Sequence, residues 1–225
     1  MSTPHEAVQQ LRAADQRHQG RTHTPETGEV TAERLAAIEK FAVTIRAWNP
    51  TLIPGPLQTT RYAAGAITTT APALSSTEVQ RRAHQRAARV DAFMVRWSQS
   101  PTASEAVFVI AEQAVTQPLV HTGAHRAQLR QLLNLSELPK VHLHVMPADR
   151  PTPRRLGQCS LYGLEPSAPG QGRGVRVAYL ETPVAAWYST RSEDIGRLHG
   201  AFGEMIEAAL NPADTRALIR EALAP

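Results

Sequence analysis

The spacing of apolar residues divides the chain into segments with a helical period and segments with a strand period. In residues 31–48 apolar side chains recur every three or four positions, which predicts a helix that ends at Asn49-Pro50. A shorter helix is predicted over about residues 60–68. Ser75-x-x-Glu78 has the spacing of a capping box, so a long helix is expected to begin there and to end near Trp97.

The centre of the chain alternates between strand and helix patterns. Residues 106–111 form a continuous apolar run that predicts a buried strand, and a helix is expected over about residues 121–135. Val141, Leu143 and Val145 then alternate with His142 and His144, which predicts a second strand with two different faces. The stretch 106–146 therefore fits a crossover that joins two parallel strands.

The last third of the chain predicts more strands and then two helices. Strands are expected over about residues 157–164 and 175–181, around a Pro- and Gly-rich hairpin loop, and residues 184–188 predict a short edge strand. Helices follow over about residues 193–210 and from the cap Asn211 with Pro212. The expected fold class is α+β: a helical N-terminal half, a central mixed or antiparallel sheet of about four strands, and two C-terminal helices.

The N-terminal residues differ from the rest of the chain. Residues 6–16 predict a short helix, and residues 20–28 have the polar Thr, Pro and Gly content of a linker. We therefore expect residues 1–30 to be a flexible segment and residues 31–225 to be a single binding domain.

Composition limits the location and the partners. The 225 residues contain no apolar run near the ~20 residues of a membrane span, no signal-peptide pattern and a single cysteine, so we expect a cytoplasmic protein without a membrane partner. The net charge is +4 and the arginines that supply most of it are dispersed. Because no short segment concentrates positive charge, binding of nucleic acid by this chain alone is not expected.

Six motifs, in the same order along the chain, resemble those of a known family. They are Ile53-Pro54-Gly55-Pro56-Leu57-Gln58-Thr59 with Tyr62-Ala63, the Arg- and Gln-rich residues 82–89, Ala111-Glu112, Gln128-Leu129 with Leu132-Leu133, Val141-x-Leu143-x-Val145-Met146-Pro147, and residues 210–219. Together they are similar to the C-terminal domain, of unknown function, of actinobacterial Xre-type regulators of the Scr and WhiJ kind. The resemblance implies an antitoxin-like regulatory domain that binds a small-molecule ligand or a small partner protein, expected to be a homodimer.

Two departures from the family change this picture. Pro56 stands where the family usually has Leu or Met, so the turn is expected to be stiffer. Full-length members also carry a helix-turn-helix domain ahead of the matching region, and only about thirty polar residues occupy that place here. The expectation is therefore an effector half that lacks its own DNA reader.

Five residues are predicted to bind a ligand, namely Gln58, Tyr62, Arg82, Arg86 and Glu112. Gln58 and Tyr62 are four apart, so on a helix they would share one face and could orient a ligand. The structural alternative is that Gln58 caps the turn while Tyr62 belongs to the core, and this alternative is favoured.

The arginines on the long helix have two interpretations. Arg82, Arg86 and Arg89 would grip an anion, or would form a solvated face with pairing within the helix, which is the favoured interpretation. Glu112 follows an apolar strand, where a buried carboxylate needs a partner such as one of these arginines.

Metal and cofactor chemistry have little support in the sequence. His142 with His144, and His121 with His125, share a face in pairs, but no third ligand stands at the required spacing. The lone Cys159 is interpreted as inert packing. We expect no metal and no cofactor.

A rival hypothesis is an enzyme. In it the same pocket would serve specialised metabolism as a cofactor-independent acid–base catalyst, such as an isomerase, cyclase or dehydratase. Its candidate catalytic residues are Glu112, Tyr62 and His144, with Arg86 as a charge stabiliser. The absence of any sharp catalytic motif favours the binding domain.

Overall fold

The computed structural model describes residues 21–24, 29–150, 156–166, 174–182 and 185–224. Within them the fold is α+β, as predicted, and the sheet is mixed but has seven strands rather than four. The helix predicted over residues 6–16 and the tip of the hairpin loop after residue 166 lie outside the described residues.

The sheet combines a parallel half with an antiparallel half. Its strands are β1 (Arg21–Thr24), β2 (Ala42–Asn49), β3 (Glu105–Ala111), β4 (Val141–Met146), β5 (Cys159–Leu164), β6 (Arg176–Thr182) and β7 (Ala185–Ser189). They lie in the order β1-β7-β6-β5-β2-β3-β4. β2, β3 and β4 are parallel to one another, and each remaining pair is antiparallel.

Helices cover both faces of this sheet. They are α1 (Glu29–Phe41), α2 (Thr60–Thr70), α3 (Ser76–Gln99), α4 (Glu112–Thr116), α5 (Thr122–Leu135), α6 (Ser192–Ala208) and α7 (Pro212–Ala222). We call the face that carries Ile45, Phe108 and Tyr162 the inner face; the larger core lies on it, with residues of α1 to α5 and α7. The outer face carries Trp48, Val109 and Leu161 and packs against α6.

The helix predicted over residues 31–48 is wrong in its second half. The helix ends at Phe41, and β2 follows at once. β2 is buried on both faces, with Ile45 in the inner core and Trp48 in the outer core, so its apolar positions do not alternate. The run Val43-Thr44-Ile45 is the signal for a strand, because β-branched residues favour strands over helices.

The middle of the chain confirms the predicted order of elements. Ser75 caps α3, its hydroxyl accepting a hydrogen bond from the amide of Glu78 at 3.2 Å. β3 and β4 pair in parallel and are joined by α4 and α5, as a crossover connection requires. The cap Asn211 accepts hydrogen bonds from the amides of Ala213 and Asp214 and begins α7.

One predicted edge strand is not at the edge. β7 pairs on one side with β6 and on the other with β1, which comes from the stretch interpreted as a linker. Within the part of the chain that the structure describes, the edges of the sheet are therefore β1 and β4. The polar sequence of β1 has no apolar alternation, so its strand state follows from pairing and not from its own pattern.

Candidate functional site

Side-chain hydrogen bonds fix the turn that follows β2. The Asn49 side-chain oxygen accepts from the amides of Thr51 at 3.0 Å and Leu52 at 2.8 Å. The amide of Ile53 donates to the Tyr62 hydroxyl at 3.3 Å, and the carbonyl of Ile53 accepts from Gln58 Nε2 at 2.7 Å. These bonds hold the backbone ahead of the Pro54-Gly55-Pro56 sequence in one conformation.

Gln128, from α5, braces the other end of the same turn. Its side-chain oxygen accepts from the amide of Thr59 at 2.6 Å, and its Nε2 donates to the carbonyl of Leu57 at 2.7 Å. Gln128 is fully buried, and its bond to Leu57 is shielded from water. The turn is therefore held to α5 as well as to β2.

Gln58 and Tyr62 do not share a helix face, contrary to the prediction. Gln58 has extended backbone angles and follows the 3₁₀ turn Gly55–Leu57, and α2 begins only at Thr60. Both side chains are buried and both bond the backbone of Ile53, as the structural alternative proposed. Gln58 keeps its side-chain oxygen for a further contact.

Arg82, Arg86 and Arg89 of α3 contact three different partners, and the favoured pairing within the helix is seen for Arg82 but not for Arg86 or Arg89. Arg82 pairs with Glu78 of its own helix at 2.5 Å. Arg89 makes two hydrogen bonds of 2.8 Å to the carboxylate of Glu39 in α1. The Arg89 side chain is only 12% exposed and that of Glu39 only 10%, so this pair is buried.

Arg86 has no carboxylate at ion-pair distance among the described residues. Its Nη1 donates to the Gln58 side-chain oxygen at 3.1 Å. Burial, and next the charge of Arg89, lower the pKa of the Arg86 guanidinium from its ordinary value, while Glu181 raises it. A positive charge is thus placed beside the turn with a neutral amide as its hydrogen-bond partner.

Three buried tyrosines come from adjacent strands on the inner face, namely Tyr162 of β5, Tyr179 of β6 and Tyr188 of β7. Tyr162 donates to Glu39 at 3.3 Å. Tyr179 and Tyr188 are directly paired across their strands, and their ring centroids are 5.1 Å apart. Within the described residues, neither of these two buried hydroxyls has a hydrogen-bond partner.

The charges around the two tyrosines explain their pKa shifts. Burial raises the pKa of both hydroxyls, and the carboxylate of Glu181 raises each further. The guanidinium of Arg34 lies 5.4 Å from the centroid of the Tyr188 ring and lowers the pKa of that hydroxyl. Both hydroxyls therefore stay protonated near neutral pH and can donate hydrogen bonds.

A chain of side-chain hydrogen bonds links the end of β2 to the end of β6. Asn49 Nδ2 donates to the side-chain oxygen of Gln158 at 3.0 Å, and Gln158 Nε2 donates to Glu181 at 2.7 Å. We define the inner-face polar site as Gln58, Arg86, Tyr179, Glu181 and Tyr188. The site can donate hydrogen bonds from a guanidinium and two phenols, and can accept them at one carboxylate.

Two of the candidate catalytic residues lie elsewhere in the fold. His144 is on the outer face, where its register partner Val109 belongs to the outer core, and its Nδ1 donates to the carbonyl of Leu210 at 3.0 Å. Glu112 begins α4, and its carboxylate accepts from the amide of Ala148 at 2.7 Å, not from an arginine of α3. The structure does not bring His144 together with Tyr62, which is part of the inner core.

The residues considered for metal binding have structural contacts. His125 is buried and its Nε2 donates to the carbonyl of Val115 at 2.8 Å, while His121 Nδ1 accepts from the amide of Gly123. In the described ranges, no group of three His, Cys, Asp or Glu residues could hold a metal ion. Cys159 is buried, and burial raises the pKa of its thiol to about 12.

The comparison with protein families decides the family of this chain. A family described as "Domain of unknown function (DUF5753)" matches residues 32–221. The chain belongs to the DUF5753 family. No curated protein and no solved structure matches it. All five residues of the inner-face polar site lie inside this DUF5753 domain. None of its described helices is long and apolar enough to cross a membrane.

Sequence reasoning missed most of the inner-face polar site. It identified Gln58 and Arg86, but not Tyr179, Glu181 or Tyr188. The tyrosines are at inward positions of strands, where a tyrosine is ordinarily a core residue whose hydroxyl finds a partner. Their missing partners, and the approach of Arg86 from α3, depend on strand pairing between distant segments. One signal is present in the sequence: Tyr179 and Glu181 are two apart in a predicted strand, so both side chains are expected on the same face.

Proposed function

We propose that this DUF5753 domain is a regulatory domain that binds a small molecule at the inner-face polar site. The observation that supports the proposal is the pair of buried hydroxyls, Tyr179 and Tyr188, without hydrogen-bond partners in the described residues. Buried polar groups are nearly always paired, and each unpaired one costs about 1–3 kcal/mol. A ligand that accepts hydrogen bonds from both phenols would recover that free energy.

The rigid turn supports the same proposal. Gln58 presents its oxygen to Arg86 while its Nε2 is held by Ile53, so the guanidinium is oriented before any ligand arrives. A site organised in advance loses little conformational entropy on binding. The bonds from Asn49 and Gln128 keep both ends of the turn in place. The turn therefore fixes the position of Gln58 beside Arg86.

The regulatory part of the proposal rests on the resemblance to actinobacterial Xre-type regulators. In such a protein, ligand binding would change the interaction with a partner. A small partner protein that inserts an acidic side chain into the same site is the other form of this proposal. The homodimer stays a prediction, which light scattering on the purified chain would test.

The described residues do not bring the candidates of the rival enzyme into one site. Its catalytic candidates are separated by the sheet, since His144 is on the outer face and Tyr62 is in the inner core. In addition, the Tyr62 hydroxyl is already bonded to the amide of Ile53. Turnover of a bound compound by the pure protein would contradict the binding proposal.

A ligand screen tests the proposed function directly. Thermal-shift assays with a metabolite library, followed by titration calorimetry, should identify compounds that bind the wild-type chain. The double variant Tyr179→Phe/Tyr188→Phe should lose this binding while remaining folded, because phenylalanine retains the ring packing. Arg197→Gln, in an exposed pair on α6, serves as the control and should bind like the wild type. Equal binding by the double variant would contradict the proposal.

A further inference from the structure

We infer that the ligand of the inner-face polar site carries a single oxyanion, either a carboxylate or a phosphate, that binds the guanidinium of Arg86. This inference rests on the proposed function and adds the chemical class of the ligand. It comes from the charges around the site and from the hydrogen-bonding groups that are still free there.

The balance of charge around the site is positive. Glu39 neutralises Arg89, and Glu78 is shared by Arg82 and Arg81. Arg34 stands over the ring of Tyr188, and the hydrogen bond of Arg86 among the described residues is to the amide of Gln58. Glu181, which is bonded to Gln158, is the one carboxylate that remains to balance Arg34 and Arg86 among the residues described around the site. The described part of the site therefore lacks one negative charge to balance these two arginines.

The free hydrogen-bond donors also fit an oxyanion. A guanidinium has five N–H groups in a planar fork that matches a carboxylate or phosphate, and one N–H of Arg86 is bonded to Gln58. The hydroxyl of Tyr179, which burial and the carboxylate of Glu181 keep protonated, has no partner at hydrogen-bond geometry among the described residues. An oxyanion held by Arg86 would provide acceptor atoms for these phenols. A cationic ligand would instead be repelled by Arg86.

Small aromatic probes test this inference with the full chain. The probes are benzoate, phenyl phosphate and the neutral benzamide, and binding is measured by calorimetry at low ionic strength, where screening is weak. Benzoate or phenyl phosphate should bind the wild type at least tenfold more tightly than benzamide. The anion that binds more tightly shows whether the oxyanion of the ligand is a carboxylate or a phosphate.

Matched arginine variants locate the charge. Arg86→Gln should weaken binding of the preferred anion at least tenfold, whereas Arg82→Gln, one turn away on the same helix and paired with Glu78, should change it less than about threefold. Circular dichroism establishes that each variant is folded. Arg86→Lys keeps the positive charge but not the planar guanidinium, so it should bind the anion with an intermediate affinity. This variant replaces Arg86→Gln in the test if the glutamine variant does not fold.

The outcomes separate this inference from the proposed function. Equal binding of benzamide and benzoate would overturn the inference that the ligand carries an oxyanion. Equal losses of affinity in Arg86→Gln and Arg82→Gln would overturn it too. Absence of binding by both anions would overturn it as well. In either case, a neutral library compound whose binding requires Tyr179 and Tyr188 would leave the proposed function standing. If no compound of any charge binds, the proposed function fails too.

Discussion

The contact between Glu39 and Arg89 joins α1 to α3 at the edge of the inner-face polar site. Burial acts to lower the pKa of Arg89, but the carboxylate of Glu39 outweighs it and raises that pKa above its ordinary value. The pair is also bonded to Tyr162 through Glu39, so three elements of the fold meet at these side chains. Removing one partner alone is therefore expected to lower the free energy of unfolding strongly.

Arg89→Met tests the buried pair. The variant keeps the aliphatic stem but leaves the Glu39 carboxylate buried without its cation, so the free energy of unfolding should fall by about 3–5 kcal/mol. Urea denaturation measures the change. Arg197→Met removes an exposed pair on α6 and should change stability by less than about 1 kcal/mol. If Arg89→Met loses no more free energy of unfolding than Arg197→Met, the buried pair does not stabilise the fold as described.

The shifted pKa of His144 predicts how the stability of the fold depends on pH. Burial, reinforced by the charge of His142, lowers the pKa of His144, although the bond to Leu210 and the charge of Glu105 act in the opposite direction. Because the folded pKa is below the unfolded value of about 6.5, the unfolded chain binds more protons between the two. This contribution to stability is complete above the unfolded pKa and is lost as the pH falls towards the folded pKa.

The variant His144→Asn isolates this effect. Asparagine keeps an N–H donor for the carbonyl of Leu210 but has no ionising group, so the fall in stability from about pH 7 to about pH 5 should be smaller than in the wild type. Urea unfolding at several pH values provides the measurement, with the exposed His84→Asn as control. An unchanged pH dependence in His144→Asn would show that His144 does not contribute.

At the scale of elements, two helical glycines should respond in opposite directions to alanine. A Cβ at Gly65 in α2 would lie 2.7 Å from Val120 Cγ1 and 2.9 Å from its Cβ, whereas one at Gly200 in α6 would meet nothing within 4 Å. Gly65→Ala should therefore lose about 1–3 kcal/mol through overpacking. Gly200→Ala should gain up to about 1 kcal/mol from helix propensity.

Thermal unfolding of the two glycine variants provides the measurement. The midpoint should fall for Gly65→Ala and rise for Gly200→Ala. A midpoint for Gly65→Ala that stays unchanged or rises would contradict the close approach of α2 to Val120.

Most elements could be predicted from their own sequence, and the exceptions share a physical cause. α3 and α7 were predicted with their caps, because Ser75 and Asn211 act locally. β2 was mistaken for helix because burial on both faces removes the alternation that identifies a strand. β1 was missed because only its pairing with β7 makes it a strand. Local signals were thus sufficient except where tertiary contacts decide.

At the scale of the whole molecule, the inner-face polar site joins segments that are far apart in sequence. Gln58 comes from the turn after β2, Arg86 from α3, and the tyrosines from β6 and β7. Their meeting depends on the sheet order, in which β5 pairs with β2, and β6 and β7 follow outward. A single sequence does not specify this order, so the site could be predicted only in part, through Gln58 and Arg86.

The central claim is that a ligand binds between Arg86 and the two unpaired phenols. The chain has four tyrosines, so ¹³Cζ-tyrosine NMR gives four signals, which single Tyr→Phe variants assign. Saturating addition of a ligand from the calorimetric screen should shift the signals of Tyr179 and Tyr188 and leave that of Tyr62, whose hydroxyl is bonded to Ile53, nearly unchanged. Saturable binding that leaves the Tyr179 and Tyr188 signals unmoved would contradict the claim.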